Sequence, residues 1–194
     1  MEIDELVNRC RSYRRFSEHF PITESTLREL ISLARAAPSA ANKQPLKYVL
    51  SCTPEANRRI FETLAWAGYL PEWPGPEPGE RPAAYVVVLL DTSIAKEADI
   101  DVGIAAQTIL LGATARGLGG CMFGSVRREE LASRLRLPSH LAIALVIALG
   151  MPVEHVVLED LPPDRSIKYY RTLDRTHHVP KRSLDELIQA VFVE

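Results

Sequence analysis

Two short stretches near the N-terminus hold side chains suited to an anion and to the polar edge of a ring. In Arg11-Ser12-Tyr13-Arg14-Arg15-Phe16 several guanidinium groups stand beside a hydroxyl. A planar guanidinium grips phosphate, or an electron-rich heterocycle edge, through paired N–H donors. Pro38-Ser39-Ala40-Ala41-Asn42-Lys43-Gln44-Pro45 is a turn in which short polar groups alternate with small residues, and such groups also cap backbone in ordinary loops. Near the other end of the chain Lys181-Arg182 precedes a helix start. From there it could join Arg11 and Ser12 on one dianion. Arginine clusters are more often solvated faces than ligand sites, so the surrounding pattern has to decide.

These residues must be positioned by a chain of 194 residues with 46% hydrophobic and 25% charged content. That composition predicts a single globular domain over 1–194. A formal net charge of −2 and a pI near 6.2 give no global pull toward nucleic acid or an anionic membrane. Cys10, Cys52 and Cys121 are widely spaced, with no CxxC pair. This argues against a disulfide framework and a zinc site, and fits a reducing, cytoplasmic setting. The opening Met1-Glu2-Ile3-Asp4-Glu5 is acidic, which predicts no export signal. No apolar run approaches the ~20 residues of a membrane span.

Leu6 and Val7 fall in a short helical segment ending near Arg11. Thr23 reads as the N-cap of the next helix, Ile22 and Leu27 as its hydrophobic staple, and Leu27, Leu30, Ile31 and Ala34 as its buried stripe. Pro38 closes it. Leu46 to Cys52 reads as a strand, and Thr53-Pro54 opens a further helix. Ala83 to Leu90 and Leu141 to Leu149 read as strands buried on both faces at the sheet centre. Between them Asp99 to Arg116 is a helix apolar or small around most of its girth. A helix of that kind calls for a second subunit over it, so a homodimer is expected. Ser183-Leu184-Asp185-Glu186 is a capping box predicting a last helix to about Val191.

Residues 66 to 82 carry Trp66, Tyr69 and Trp73 among prolines and glycines and read as a long structureless excursion. It serves either as a lid or binding loop, or as a wrap whose tryptophans cover the core. Gly117-Leu118-Gly119-Gly120-Cys121-Met122-Phe123-Gly124-Ser125 is no dinucleotide fingerprint, because Met122 stands where the third glycine is needed and a helix precedes it. Neighbouring His177-His178 lack an acidic partner at useful spacing, so no metal is expected and His178 reads as a hydrogen-bonded surface residue. Cys121 has no base paired with it and reads as a small apolar filler.

The stretch from Cys10 to Phe16 resembles the N-terminal motif of the FMN-dependent nitroreductase family, which runs basic, basic, serine, variable, basic, variable, aromatic. Arg11, Ser12, Arg14 and Phe16 match it, while Cys10 stands where the first basic residue belongs, leaving Arg9 or Arg15 as substitutes. Pro38 to Pro45 matches the second signature at every defined position. Gly117 to Ser125, Gly150-Met151-Pro152, Lys168 to Arg171 and His177 to Arg182 extend the resemblance from about Ile3 to Ile188. It implies an α+β fold, a mostly antiparallel sheet flanked by helices, in a nitroreductase-like domain-swapped homodimer with FMN at the interface.

By this resemblance Arg11 and Ser12 meet the phosphate and ribityl chain, and Arg14 lies at the pyrimidine edge of the ring. Pro38, Ser39, Ala40 and Asn42 reach FMN held mainly by the other subunit. Gly124 and Ser125 present backbone N–H groups toward flavin N5, and Lys181 and Arg182 close over the phosphate. No catalytic side chain is implied, since the flavin carries the redox chemistry. The implied activity is ping-pong transfer from NAD(P)H through FMN to small nitroaromatic or quinone-like acceptors, whose flat rings would stack beside Tyr69 or Trp73. Flavin-dependent dehalogenation or dehydrogenation on the same scaffold is an alternative. A nonenzymatic nucleotide-binding module is another, though the mild acidity and absent aromatic RNA-binding signature count against it.

Overall fold

The two apolar runs pair with one another. In the computed structural model, which describes residues 2–193, β3 (Ala84–Asp91) lies antiparallel to β5 (Leu141–Pro152), Ala84 facing Leu149 and Asp91 facing Leu141, with one irregularity between Val88 and Leu89. β2 (Leu46–Ser51) adds to the other edge of β3, and β4 (Gly119–Phe123) to β5. Two residues of β1 (Phe16–Ser17) pair with Pro152 and Met151. Every pairing in this sheet is antiparallel.

Both faces are covered, which is why the strand sequences are continuously apolar rather than alternating. Val86, Val88, Ile147 and Leu149 point into a core closed by Leu27 and Leu30 of α2 (Glu24–Ala36) and Ile109 of α4 (Asp99–Ala115). Tyr85, Val87, Leu89, Val146 and Ala148 point the other way, onto Ile60 of α3 (Pro54–Phe61) and Leu131 of α5 (Arg128–Leu135). The helix starts follow the capping chemistry. Thr23 Oγ1 accepts from the Thr26 N–H at 3.2 Å, and Thr53 Oγ1 from the Ala56 N–H at 3.4 Å. The short first helix, α1 (Ile3–Arg9), ends just before Arg11.

The chain divides into two compact units. One comprises Met1–Trp66 with Pro74–Val153, the other Ala67–Trp73 with Glu154–Glu194. In the second, β6 (Val156–Asp160) runs parallel to β8 (His177–Lys181), and β7 (Tyr170–Arg171) pairs antiparallel with β8. Its interior holds an ion pair: Arg171 donates to Glu154 at 3.1 Å, and the Glu154 side chain is 1% exposed. Trp73 lies on the Arg171 guanidinium, 4.0 Å from Cζ to ring centroid. A buried carboxylate is tolerable only with such a partner.

The predicted last helix is shorter than expected. Ser183 Oγ does accept from the Glu186 N–H at 3.2 Å, but α6 spans only Leu184–Leu187. None of its residues is buried, and the Glu186 carboxylate is taken by Arg165 and Arg182. A capping box fixes a start, and only a buried face sustains further turns. Among the described residues, no helix is long and apolar enough to cross a membrane.

Removing the Thr23 hydroxyl leaves an orphan N–H at the head of α2, so Thr23→Ala should cost about 1 kcal/mol in chemical denaturation. Gly120→Ala should cost more, about 1–3 kcal/mol, because its Cβ would stand 2.5 Å from the Ala148 carbonyl oxygen.

Candidate functional site

Arg11 to Arg14 lie against β4. Ser12 bridges to Gly120, and the Tyr13 N–H donates to the Gly120 carbonyl at 3.0 Å. Only glycine permits this approach, since a Cβ on Gly119 would sit 2.5 Å from the Tyr13 ring. The chain reaches β4 from α4 through Gly117, whose φ of +76° suits a helix-ending turn: the Leu118 N–H returns to Ala113 and the Gly117 N–H to Thr114. The first and third motifs of the sequence are thereby brought together. At the far end of β4, Gly124 and Ser125 are exposed, and nothing lies within 4 Å of a Cβ built on Gly124.

Arg11 is half-buried. Its outer nitrogen donates to the Val7 carbonyl at 2.6 Å, but its Nε is buried and has no hydrogen-bond partner among the described residues. Arg14 donates to the Ser12 carbonyl at 3.2 Å, which folds it back over the motif. The two arginines considered as substitutes for Cys10 are engaged. Arg15 pairs with Glu80 at 3.3 Å, and Arg9 with Glu5 at 3.5 Å. Cys10 Sγ instead faces the Gln107 amide of α4 at 3.8 Å.

The Pro38 to Pro45 loop is held by a residue that motif reading missed. Asp101, in the first turn of α4 and 5% exposed, accepts from Ser39 Oγ at 2.5 Å and from the Ala40 N–H at 3.0 Å. Ser39 Oγ in turn accepts from the Gln44 N–H at 2.9 Å. The Gln44 side-chain amide donates to Asn42 Oδ1 at 3.0 Å. Between these ties Ala41, Asn42 and Gln44 all take left-handed conformations, with φ of 50°, 53° and 52°. Such backbone persists only where surrounding contacts over-determine it. Pro38, Ala40 and Asn42 are exposed, so the anchored loop presents its tip outward. Burial, and next the Asp101 charge, raise the pKa of the nearby Tyr48 above the ordinary tyrosine value. One sequence signal did mark Asp101: an acid between Ile100 and Val102 at the head of an otherwise apolar helix.

The remaining expected residues lie in the second unit. Tyr69 is exposed with its ring 4.9 Å from that of Tyr169, and Trp73 carries Arg171 on its face. Trp66 packs into the core of the first unit, 4.6 Å from Phe123 and 5.5 Å from Phe61, so of the loop's aromatics it has the covering role. Lys181 and Arg182 are exposed after β8, and Arg182 pairs with Glu186. His178 is tied to Glu159 at 3.0 Å and stacked on Tyr170 at 4.7 Å. Cys121 is buried among core residues.

The Nitroreductase family model matches residues 7–151, which include the antiparallel core and the basic N-terminal turn seated on its glycine strand, and the chain belongs to that family. It is 30% identical over 173 residues to an NADH dehydrogenase of Thermus thermophilus, covering 74% of this chain and 83% of that one. It is also 23% identical over 199 residues to an NADPH-flavin oxidoreductase of Vibrio harveyi, covering 94% and 79%. An FMN complex of a provisionally named nitroreductase from Exiguobacterium sibiricum superposes with a TM-score of 0.67 at 14% identity, over 79% of this chain and 89% of that one.

The residues present suit a phosphorylated flavin. Arg11 Nε is a buried donor in need of an acceptor, and the backbone at Gly124 is open to close approach. The loop's dependence on Asp101 is open to direct test. Asp101→Ala removes an acceptor for two bonds and should cost about 1.5–3 kcal/mol. Amide exchange at Ala40 and Gln44 should rise in that variant while β3 and β5 keep their protection.

Proposed function

We propose that this protein is an FMN-dependent oxidoreductase that takes reducing equivalents from NADH or NADPH and delivers them to a flat, electron-poor acceptor of the nitroaromatic or quinone type. The observation that carries this reading is the seating of Ser12 and Tyr13, the residues between Arg11 and Arg14, on Gly119 and Gly120, with a buried donor of Arg11 lacking an acceptor among the described residues.

FMN, when bound, supplies hydride acceptance and release at its isoalloxazine ring. The protein's part is to bind, orient and keep charge in place. Arg11 and Ser12 bind the phosphate and ribityl chain through charge-assisted hydrogen bonds. Arg14, folded back by its bond to the Ser12 carbonyl, would offer positive charge at the pyrimidine edge of a bound FMN, which would favour its reduction. Gly124 and Ser125 offer backbone N–H groups free of side-chain obstruction. Lys181 and Arg182 are further cationic phosphate ligands, and Arg182 would exchange its Glu186 partner for this role.

Pro38, Ser39, Ala40 and Asn42 serve the cofactor of a second subunit in a homodimer. Two observations support an assembly of that kind. The loop is rigidly anchored yet points outward, and Leu184, Leu187, Val191 and Phe192 stand exposed at the C-terminal end. Tyr69 and Trp73 line the acceptor's approach, and donor and acceptor bind in turn.

Purified protein supplied with FMN should retain the yellow chromophore through gel filtration, and the colour should bleach anaerobically on adding NADH or NADPH. Arg11→Ala should weaken FMN binding at least tenfold. Arg14→Ala should retain FMN but lower its reduction potential by roughly 30 mV, which for two electrons corresponds to about 1.4 kcal/mol. Protein that takes up no FMN would end this reading, and an unchanged potential with FMN bound would remove Arg14 from the ring edge.

A further inference from the structure

Tyr85 stands near the start of β3 and is wholly buried, yet its hydroxyl has no hydrogen-bond partner among the described residues. Leaving such a group unsatisfied costs about 1–3 kcal/mol. Phenylalanine would fill the same space at no such cost, so the hydroxyl calls for an explanation. A second donor in the same condition belongs to Arg81. Its Nε is buried and without a partner among the described residues, while its Cζ stands over the Phe61 ring, 4.5 Å from the centroid. Such a cation–π contact holds the guanidinium against the ring.

Both residues line one cavity of about 510 Å³, within the range of about 300–1,000 Å³ usual for small-molecule sites. Much of its wall is apolar, including Phe20, Ile22, Pro54 and Phe61. Part of the wall is also held rigidly. Asn57 Oδ1 accepts from Ser51 Oγ at 2.7 Å, and Asn57 Nδ2 donates to the Ala83 carbonyl at 2.7 Å. These bonds pin α3 to the end of β2 and to the residue that leads into β3. The charged residues around the cavity are Glu18, Arg58 and Arg81, with His19 beside them. Glu18 already accepts from the Gly79 N–H, and Arg58 stands 3.8 Å from Glu62.

Neither the Tyr85 hydroxyl nor Arg81 Nε has an acceptor among the described residues. Burial outweighs the opposing charge of Arg81 and, with Glu18, raises the pKa of Tyr85 well above its ordinary value, so the phenol stays protonated and donates at neutral pH. Both unsatisfied atoms are therefore donors. One of the two donors belongs to a guanidinium, and a charge-assisted bond from it favours an anionic acceptor over a neutral one. Phe61 and the nearby Phe20 favour a flat apolar body behind it.

We propose that this cavity binds a small aromatic carboxylate, whose carboxylate accepts from the Tyr85 hydroxyl and Arg81 Nε and whose ring lies against Phe20 and Phe61. None of the residues assigned above to FMN or to the acceptor lines it. The site thus gives the protein a second small-molecule specificity, either for a ligand that modulates it or for a metabolite that it carries.

The test is calorimetric titration of the FMN-loaded protein with 3-phenylpropionate, which is saturated and offers no bond for a flavin to reduce, alongside its neutral analogue 3-phenylpropanol. The expected result is one carboxylate per chain, at least tenfold weaker binding of the alcohol, and no change in the flavin absorbance. Tyr85→Phe should lose at least tenfold in affinity, about 1.4 kcal/mol, while the ligand-free variant melts no lower than the parent. Arg81→Gln should show a comparable loss. Absence of binding at millimolar ligand would overturn the proposal, as would equal affinity in both variants or binding that perturbs the flavin spectrum. A Tyr85→Phe protein that cannot fold would also overturn it, because the hydroxyl would then have a structural partner.

Discussion

The close seating of the Arg11 to Phe16 segment on β4 is the contact on which the candidate site depends. It requires a strand with no side chains at two successive positions, because the Tyr13 ring and the Ala148 carbonyl occupy the space that Cβ atoms at Gly119 and Gly120 would need. It also requires β4 to be held from behind, which β5 does through pairs running from Gly119–Gly150 to Phe123–Val146. The apolar sheet and the polar turn are therefore one construction. The β3–β5 pair fixes β4, and β4 fixes where the guanidinium groups can stand.

The second signature is held by a different device. Three left-handed residues in a loop without glycine are a local cost, offset by a buried carboxylate that takes two hydrogen bonds from the loop's first turn. Asp101 sits in the first turn of α4, where the helix dipole favours negative charge. Cys10, next to the first motif, faces Gln107 of the same helix. One helix thus contacts both signatures.

Local pattern was enough for most elements. The caps at Thr23 and Thr53 and the two-sided apolar strands were all legible, because each is fixed by neighbours within a few residues. The last helix was over-read for the same reason: Ser183 caps it correctly, yet no residue of it is buried. The loop from 66 to 82 was legible as irregular chain, but not the division of labour within it. Trp66 goes to one core, while Tyr69 and Trp73 pack against residues a hundred positions away.

The sequence alone determined the family, through motifs whose spacing survives without any coordinates, and it supplied the candidate residues for a phosphorylated flavin. Tertiary structure decided which side chains are already spoken for. Arg15 carries charge in the right neighbourhood but is paired with Glu80, far along the chain, whereas Arg11, Tyr85 and Arg81 hold buried donors with no partner among the described residues. A residue's type states what it can bond to. Whether that capacity is spent depends on groups distant in the chain, and only the folded arrangement of burial and neighbours settles it.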